Sequence, residues 1–222
     1  MKYQAGTTVV PQEKREGLNK KILDVIRLKP EALKAGDVYS LYTGIGGLHG
    51  LSRADYGSYH AFAKDKKEVE QGQFFTPHHV AEFVTTLVPA SISDVVLDPT
   101  CGVGSFFNFC PIESNCYGNE LEKGAHTVGS FLYPEANITV GDIRVYTPPK
   151  ATLIYGNPPF NLRWDGEKSQ HVFVKYCHEW LVDGGFLAMV VPASYLSGSV
   201  QENKHVEAIQ EMFDFVCQVS VP

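Results

Sequence analysis

The sequence lacks the features of a membrane-spanning or secreted protein. Its 222 residues contain no apolar run that approaches the roughly 20 residues needed to cross a bilayer. The first residues, Met1–Ala5, do not form the apolar stretch of a secretory signal peptide. The five cysteines show neither CxxC spacing nor a histidine cluster. They indicate reduced thiols of a cytoplasmic protein, without a metal site.

Positive charge is also scarce over most of the chain. Residues 1–34 hold eight basic and four acidic side chains, a net charge of +4, whereas residues 35–222 hold eleven and twenty-one, a net charge of −10. A protein that binds duplex DNA unaided needs Lys and Arg side chains to neutralise phosphates. The acidic main body therefore argues against tight, independent binding to DNA.

The sequence does contain a regular alternation of short apolar runs and amphipathic segments. Strands are predicted at 94–97, 115–119, 137–140, 151–155, 186–191 and 214–219, and helices at 104–109, 120–132, 171–182 and 202–213. Such alternation is typical of an α/β fold. It predicts a Rossmann-like, doubly wound and mostly parallel sheet.

The residues ahead of this sheet are predicted to form an α-helical N-terminal extension over residues 1–71, followed by the sheet domain over residues 72–222. Apolar spacings predict helices at 12–28, at 30–35 with Gly36 as the stop, and at 56–71. Between them, residues 42–51 are rich in glycine and predict a loop, without the lysine of a P-loop. Thr76 and Pro77 fit the N-cap and first position of a further helix that reaches about residue 88.

Acidic residues and glycines follow the first three predicted strands. Asp98 precedes a turn in which Gly102 and Gly104 allow a ligand to approach the backbone, and its carboxylate suits a cation such as an α-amine. Glu120 comes 22 residues later, at the distance typical of the ribose-binding carboxylate in nucleoside-binding Rossmann folds. Asp142 follows the third strand, where its carboxylate suits an adenine amino group.

The segment Gly156-Asn157-Pro158-Pro159-Phe160 follows the fourth strand. Its two prolines fix φ and remove backbone donors, which predicts a rigid loop with free carbonyls. An amide oxygen, a carbonyl and an aromatic ring together suit a flat, amino-bearing ring. Open α/β sheets bind ligands outside the carboxyl ends of their strands, so we expect this loop and the three acidic segments to meet there.

Together these motifs resemble those of the S-adenosylmethionine-dependent N6-adenine DNA methyltransferases of the γ type, especially the modification subunits of type I restriction systems. The resemblance covers roughly residues 70–220 and includes Gln73-Phe74-Phe75-Thr76-Pro77, which matches the segment before the cofactor loop in that branch. Thr100 stands where alanine is more common in the family.

The resemblance implies S-adenosyl-L-methionine as the cofactor, and as the target an adenine flipped out of duplex DNA. It implies catalytic roles for Asn157, Pro158, Pro159 and Phe160, and cofactor-binding roles for Phe74, Thr76, Asp98, Thr100, Cys101, Gly102, Gly104, Glu120, Asp142, Ile143 and also Asn157. The Asn157 side-chain oxygen and the Pro158 carbonyl would accept the two N6 hydrogens while Phe160 stacks on the base.

The implied function is site-specific DNA adenine methylation in a restriction-modification or related system. Members of the family carry a target-recognition domain or recruit a specificity subunit, so we expect either further C-terminal residues or such a partner. A methyltransferase acting on protein glutamine or RNA, or a catalytically silent cofactor-binding subunit, are the alternatives. Arg163 and Trp164, in a predicted loop at 161–170, contact either DNA or solvent. His78, His79 and His171 are expected as capping or surface residues.

Overall fold

The structure is a computed structural model that describes residues 1–6, 10–44, 54, 56–63, 74–160, 162–164, 166–192, 195 and 200–219. Within this part of the chain the α-helices are α1 Gln12–Leu28, α2 Ala35–Leu41, α3 His78–Leu87, α4 Lys123–Leu132, α5 Ser169–Trp180 and α6 Val200–Met212. The strands are β1 Val96–Asp98, β2 Cys116–Glu120, β3 Asn137–Val140, β4 Ala151–Gly156, β5 Arg163–Trp164, β6 Glu167–Lys168 and β7 Leu181–Met189. None of the described helices is both long enough and apolar enough to cross a membrane.

The central sheet has the strand order β3-β2-β1-β4-β7, and each neighbouring pair is parallel. β5 and β6 form a separate antiparallel hairpin. The predicted doubly wound, parallel sheet is therefore confirmed. In this order the chain steps outward from β1 to β3 and then crosses to β4 on the other side, the arrangement that places ligands at the strand ends near β1 and β4.

Helices cover both faces of the sheet because side chains alternate along its buried strands. Val96 of β1 and Tyr155 of β4 point into a core shared with α1–α4. Leu97 and Ile154, their neighbours in the sequence, point into a second core that contains Phe173 of α5. A buried parallel sheet of this kind requires the near-continuous apolar strands from which it was predicted.

The N-terminal helices belong to the first of these cores. Ile22 of α1, Val38 of α2 and Tyr42, which follows α2, are buried together with Val128 of α4. The extension therefore covers one face of the sheet. The predicted boundary near residue 71 lies outside the described residues, so the division into 1–71 and 72–222 stays a prediction.

The structure differs from the predicted local structure at the N-terminal helices. α1 matches its predicted bounds, but the second helix predicted at 30–35 is a 3-10 turn at Pro30–Ala32, and α2 begins only at Ala35. Leu33 is extended and separates the two. Gly36 is not a helix stop, because it lies in the exposed first turn of α2. Of the helix predicted at 56–71, the structure shows residues 59–63 as helical and does not describe 64–71.

Three further local predictions are wrong. The helix predicted at 104–109 is only a 3-10 turn at Phe107–Phe109, preceded by two glycines with positive φ that a regular helix does not accept. Pro77, and not Thr76, occupies the N-cap of α3, without a side-chain cap. The strand predicted at 214–219 is absent among described residues 213–219, where Phe215 is exposed and meets no neighbouring strand.

β7 begins earlier than predicted and contains a bulge. Ala151 pairs with Leu181 but Leu153 pairs with Phe186, so the residues between Leu181 and Phe186 loop out of the ladder. Gly184 supplies the positive φ within this bulge. Gly184 thus interrupts a strand and does not end α5, which already ends at Trp180, two residues before its predicted end.

Candidate active site

Four polar side chains predicted to meet do lie at the ends of four adjacent strands. Asp98 and Glu120 are the last residues of β1 and β2, Asn157 directly follows β4, and Asp142 comes two residues after β3. The strands run parallel in the order β3-β2-β1-β4. All four residues therefore lie along the side of the sheet where these strands end, which we call the carboxyl edge.

Asp98 is a buried carboxyl group at the centre of this edge, only 2% exposed. The backbone N–H of Thr100 donates to its Oδ1 at 3.2 Å. Burial raises the pKa of Asp98 to about 8, the Thr100 N–H opposes this, and the nearby negative charge of Glu120 adds to it. A cationic group placed beside Asp98 would restore its negative charge at neutral pH.

Glu120 joins the end of β2 to the glycine turn. Its Oε2 accepts the backbone N–H of Gly102 at 2.9 Å and its Oε1 accepts that of Glu122 at 2.8 Å. Burial raises the pKa of this carboxyl, and the two N–H donors lower it. Each oxygen has room for a second donor, so the carboxylate can hold the turn and accept from a ligand hydroxyl as well.

The turn itself depends on its glycines. Gly102 and Gly104 have φ of 57° and 83°, values that strain other residues. A Cβ on Gly102 would come within 2.8 Å of the Phe75 ring, so the ring lies directly against the backbone of the turn. Phe74, the aromatic residue selected from the sequence, is 51% exposed instead. Phe75 was missed because an extended segment turns successive side chains in opposite directions, and the sequence did not show which one faces the turn.

The remaining predicted residues of the cofactor loop differ in their surroundings. The Thr100 hydroxyl is buried and has no hydrogen-bond partner among the described residues. The Cys101 thiol lies under the turn, where Sγ would be 2.8 Å from a Cβ on Gly118, and burial raises its pKa. Thr76 is half-buried at the start of α3. The Thr100 hydroxyl therefore offers a buried polar atom that no described residue uses.

Asp142 forms an ion pair with Arg144 that no motif in the sequence indicated. Arg144 donates Nε to Asp142 Oδ1 at 3.0 Å, and its backbone N–H donates to the same oxygen at 2.9 Å. The hydrogen bonds from Arg144 hold the pKa of the Asp142 carboxyl below its usual range. Ile143, between them, is buried in the second core. Asp142 is thus an ionised acceptor held in place at the rim of the edge.

The loop after β4 is fixed through two of its carbonyl groups. The Gly156 carbonyl accepts the Val190 N–H at 2.8 Å, and the Pro159 carbonyl accepts the Ser169 hydroxyl at 2.6 Å. The Pro158 carbonyl and the Asn157 side chain accept no hydrogen bond from the residues that the structure describes. The two acceptors assigned to the target amine are thus available, and Ser169, which the sequence did not indicate, holds the adjacent peptide.

The segment after this loop is more ordered than predicted. Residues 163–164 and 167–168 form the β5–β6 hairpin, and Trp164 packs on the second core. Arg163 is exposed and donates Nη1 to the Gly166 carbonyl at 2.7 Å. The surface prediction for His171 is wrong, because its ring is 5% exposed and stacks on His205 with a centroid distance of 3.7 Å. His205 belongs to α6, so no local pattern in the sequence indicates this contact.

The arrangement fits a nucleoside that carries a cationic amino-acid group. Asp98 is a buried carboxyl with no cationic partner among the described residues, Thr100 offers a buried hydroxyl, and Glu120 ends the next strand, where the sequence predicts the ribose-binding carboxylate. Phe75 closes the glycine turn with an aromatic wall. Next to these, the loop after β4 presents two acceptors for an amino group.

Comparison with known proteins agrees with this chemistry. The sequence matches the model of the N-6 DNA methylase family over residues 58–129. It is 29% identical over 160 residues to the modification methylase CviBIII of Paramecium bursaria Chlorella virus NC1A, an alignment that covers 63% of this chain and 42% of that enzyme. The resemblance to N6-adenine DNA methyltransferases inferred from the motifs is therefore confirmed.

Solved structures show the same fold. A type I restriction-modification methyltransferase subunit from Streptococcus thermophilus superposes with a TM-score of 0.54 at 15% identity, covering 90% of this chain and 58% of that one. A protein assigned to the class I S-adenosylmethionine-dependent methyltransferases, from Listeria monocytogenes, gives 0.56 at 11% identity, with 90% and 79% covered. The fold is that of the class I methyltransferases. The chain spans about two fifths of the length of the viral methylases it matches.

Proposed function

We propose that the protein transfers a methyl group from S-adenosyl-L-methionine to the N6 amino group of adenine in DNA, as part of a restriction-modification or related system. The observation that carries this proposal is the row of Asp142, Glu120, Asp98 and Asn157 along the carboxyl edge. Three carboxylates suit the amino, hydroxyl and adenine donors of the cofactor. The loop that begins at Asn157 suits the amine to be methylated.

On the cofactor side, the chain's own groups bind and orient. Asp98 would pair with the α-ammonium, which suits a carboxyl that accepts a single backbone N–H, that of Thr100, from the described part of the chain. Glu120 would accept from the ribose hydroxyls while it still holds the Gly102 N–H. Asp142 would accept from the adenine amino group, with Arg144 holding its carboxylate in position. The bound cofactor supplies a methyl group attached to positively charged sulfur.

On the target side, the rigid loop aligns the amine. The Asn157 side-chain oxygen and the Pro158 carbonyl would accept the two N6 hydrogens, which draws the nitrogen toward a tetrahedral geometry and turns its lone pair to the methyl group. Phe160 would stack on the base. This is positioning with electrostatic stabilisation and needs no strong base. Reaching the loop requires the adenine to leave the duplex.

We further propose that site recognition needs a separate component, either a specificity subunit or a target-recognition domain. Residues 35–222 carry a net charge of −10, which opposes unaided binding to phosphates. The predicted extension, residues 1–71, and the methyltransferase unit, residues 72–222, would together form the catalytic component. The isolated chain should bind duplex DNA weakly and without sequence preference.

The test is transfer of labelled methyl from S-adenosylmethionine to DNA, protein and RNA, measured side by side with and without an added specificity component. We expect label in DNA, at the N6 position of adenine, and none with Asn157→Ala. Label in protein or RNA alone would indicate a different methyltransferase. Cofactor binding without transfer to any of the three would indicate a catalytically silent subunit.

A further inference from the structure

We propose that Tyr42, which follows the N-terminal helix α2, is a positioning residue of the cofactor pocket and makes the N-terminal helices part of the binding site. This inference rests on the proposed cofactor. Residues 1–71 showed no motif for ligand binding, and the family model match begins only at residue 58. The inference depends on three successive contacts that connect α1 to the glycine turn.

The first of these contacts fixes the backbone after α2. Asn19 of α1 is buried, and its side-chain amide pairs with the backbone of Thr43 in both directions. Nδ2 donates to the Thr43 carbonyl at 2.6 Å, and Oδ1 accepts the Thr43 N–H at 3.3 Å. The Tyr42 N–H in turn donates to the Val38 carbonyl. The peptide groups on both sides of Tyr42 are therefore held, and the direction of its side chain follows.

The second contact joins Tyr42 to the aromatic wall of the site. The rings of Tyr42 and Phe75 stack with a centroid distance of 5.9 Å and an interplanar angle of 23°. The same Phe75 ring lies 2.8 Å from the position of a Cβ on Gly102. Phe75 thus contacts both Tyr42 and the glycine turn, and the Tyr42 ring supports Phe75 beside the turn.

The third contact places the Tyr42 hydroxyl at the start of α4, near Glu120. Its oxygen lies 3.0 Å from the position of a Cβ on Gly124, at the first turn of α4, where Glu122 caps the helix. Burial and the carboxylates of Glu122 and Glu120 raise the pKa of Tyr42. The residue is 6% exposed. The Tyr42 side chain therefore contacts the start of α4, next to Glu120, directly, and reaches the glycine turn through Phe75.

The functional consequence is that the wall around Gly102 depends on the N-terminal helices. Without the Tyr42 ring, Phe75 loses a stacking partner and can move away from the turn, and the adenosyl group would lose apolar contact. The energy of one aromatic pair corresponds to a loss of roughly three- to tenfold in affinity. A residue that served only the stability of the core would not affect the affinity in this way.

The chain offers a matched control in Tyr39. It lies on α2, three residues before Tyr42, but its ring packs on Tyr3 and its hydroxyl pairs with His78 Nδ1 at 2.9 Å. Tyr39→Leu therefore removes a comparable ring from α2 without touching Phe75. Tyr42→Phe keeps the ring and removes only the hydroxyl, so it should restore most of the affinity that Tyr42→Leu loses.

The experiment is calorimetric titration of S-adenosylmethionine into the unsubstituted chain and these variants, below the melting temperature of each. We expect weaker binding by Tyr42→Leu, by the factor given above, and near-normal binding by Tyr42→Phe and Tyr39→Leu. Equal losses in Tyr42→Leu and Tyr39→Leu would overturn the inference and leave the proposed function standing. No binding by the unsubstituted chain would overturn both.

A second measurement decides the question if Tyr42→Leu does not fold. Hydrogen exchange of the unsubstituted chain, with and without S-adenosylmethionine, reports on residues 38–44 directly. We expect the cofactor to slow exchange there as well as at 98–104 and 117–122. If exchange became slower only at 98–104 and 117–122, cofactor binding would not affect residues 38–44, and the inference would be wrong.

Discussion

The two halves of the candidate site are built on opposite principles. On the cofactor side, the carboxylates of Glu120 and Asp142 already accept hydrogen bonds from Gly102 and Arg144. At the loop after β4, the carbonyls of Gly156, just before the loop, and of Pro159 accept hydrogen bonds. The Asn157 side chain and the Pro158 carbonyl between them receive no donor from described residues. On the cofactor side, the groups proposed to bind the ligand also make the hydrogen bonds that hold the site in place. In the loop after β4, those hydrogen bonds are made by neighbouring carbonyls, and the groups proposed to bind the amine are left free of described donors.

The difference indicates what each half has to do. A cofactor-binding carboxylate gains from a firm position and can accept from a ligand in addition to its own donors. Acceptors that must align the two hydrogens of one amine gain from being free and rigid, since reorientation during the reaction would raise the barrier. Substitutions in the two halves should therefore separate binding from transfer.

The largest effect is expected from Asn157→Ala. Loss of the acceptor should lower methyl transfer by at least about a hundredfold, because the amine is no longer aligned in the transition state. Cofactor affinity should stay nearly unchanged, as measured by calorimetry beside a single-turnover assay. Asn137→Ala is the matched control, because Asn137 is the first residue of β3 and lies at the end of that strand away from the carboxyl edge. Wild-type turnover by Asn157→Ala would contradict the assigned mechanism.

Glu120→Ala should show the reverse pattern. Loss of charge-assisted hydrogen bonds to the ribose should weaken S-adenosylmethionine binding by roughly ten- to a hundredfold. The neighbouring Glu122→Ala removes the carboxylate that caps α4 through Gly124 and Ala125. This control should cost about 1 kcal/mol of stability and leave the affinity unchanged. Unchanged affinity in Glu120→Ala would remove that residue from the site.

Asp98 predicts a pH dependence of stability for the cofactor-free protein. Its folded pKa of about 8 lies above the ordinary 3.8. Its contribution to the free energy of unfolding is therefore present below about pH 4 and is lost as the pH rises toward 8. Asp98→Asn keeps an acceptor for the Thr100 N–H but does not ionise, so it should avoid this loss, which is at most about 1.4 kcal/mol per pH unit.

Urea unfolding at pH 5 and pH 8 measures this difference. Asp183→Asn, in the exposed bulge of β7, serves as the control because it changes the same chemical group without burial. The interpretation of Asp98 would be wrong if the unsubstituted chain and Asp98→Asn lost the same free energy between the two pH values.

The smallest effect is expected from Ser169→Ala. This change removes the hydroxyl that fixes the Pro159 carbonyl but leaves Asn157 and the cofactor side intact. One hydrogen bond corresponds to a roughly two- to tenfold lower rate of transfer at saturating cofactor. Thr86→Ala removes a hydroxyl bonded to the Glu82 carbonyl on α3 and should not alter the rate. A loss of cofactor affinity in place of rate would place Ser169 in the other half of the site.

Much of the fold was predictable because its signals are local. The apolar runs of β1 and β4 and the spacing of apolar residues in α1 depend only on neighbouring residues, and all three elements were predicted close to their observed positions. Predictions failed where a local pattern was overridden. The positive φ of Gly104 does not fit a helix at 104–109, and residues 214–219 pair with no strand among the described residues.

The sequence by itself determined which chemical groups lie at the carboxyl edge, because parallel strands end on one side and each strand is followed by its polar residue. Only the tertiary structure decided which of Phe74 and Phe75 faces the glycine turn. It alone paired Ser169 with Pro159 and stacked Tyr42 on Phe75. Contacts between segments far apart in the chain depend on how helices pack on the sheet. Apolar periodicity shows which face of an element is buried, but not which residues that face meets.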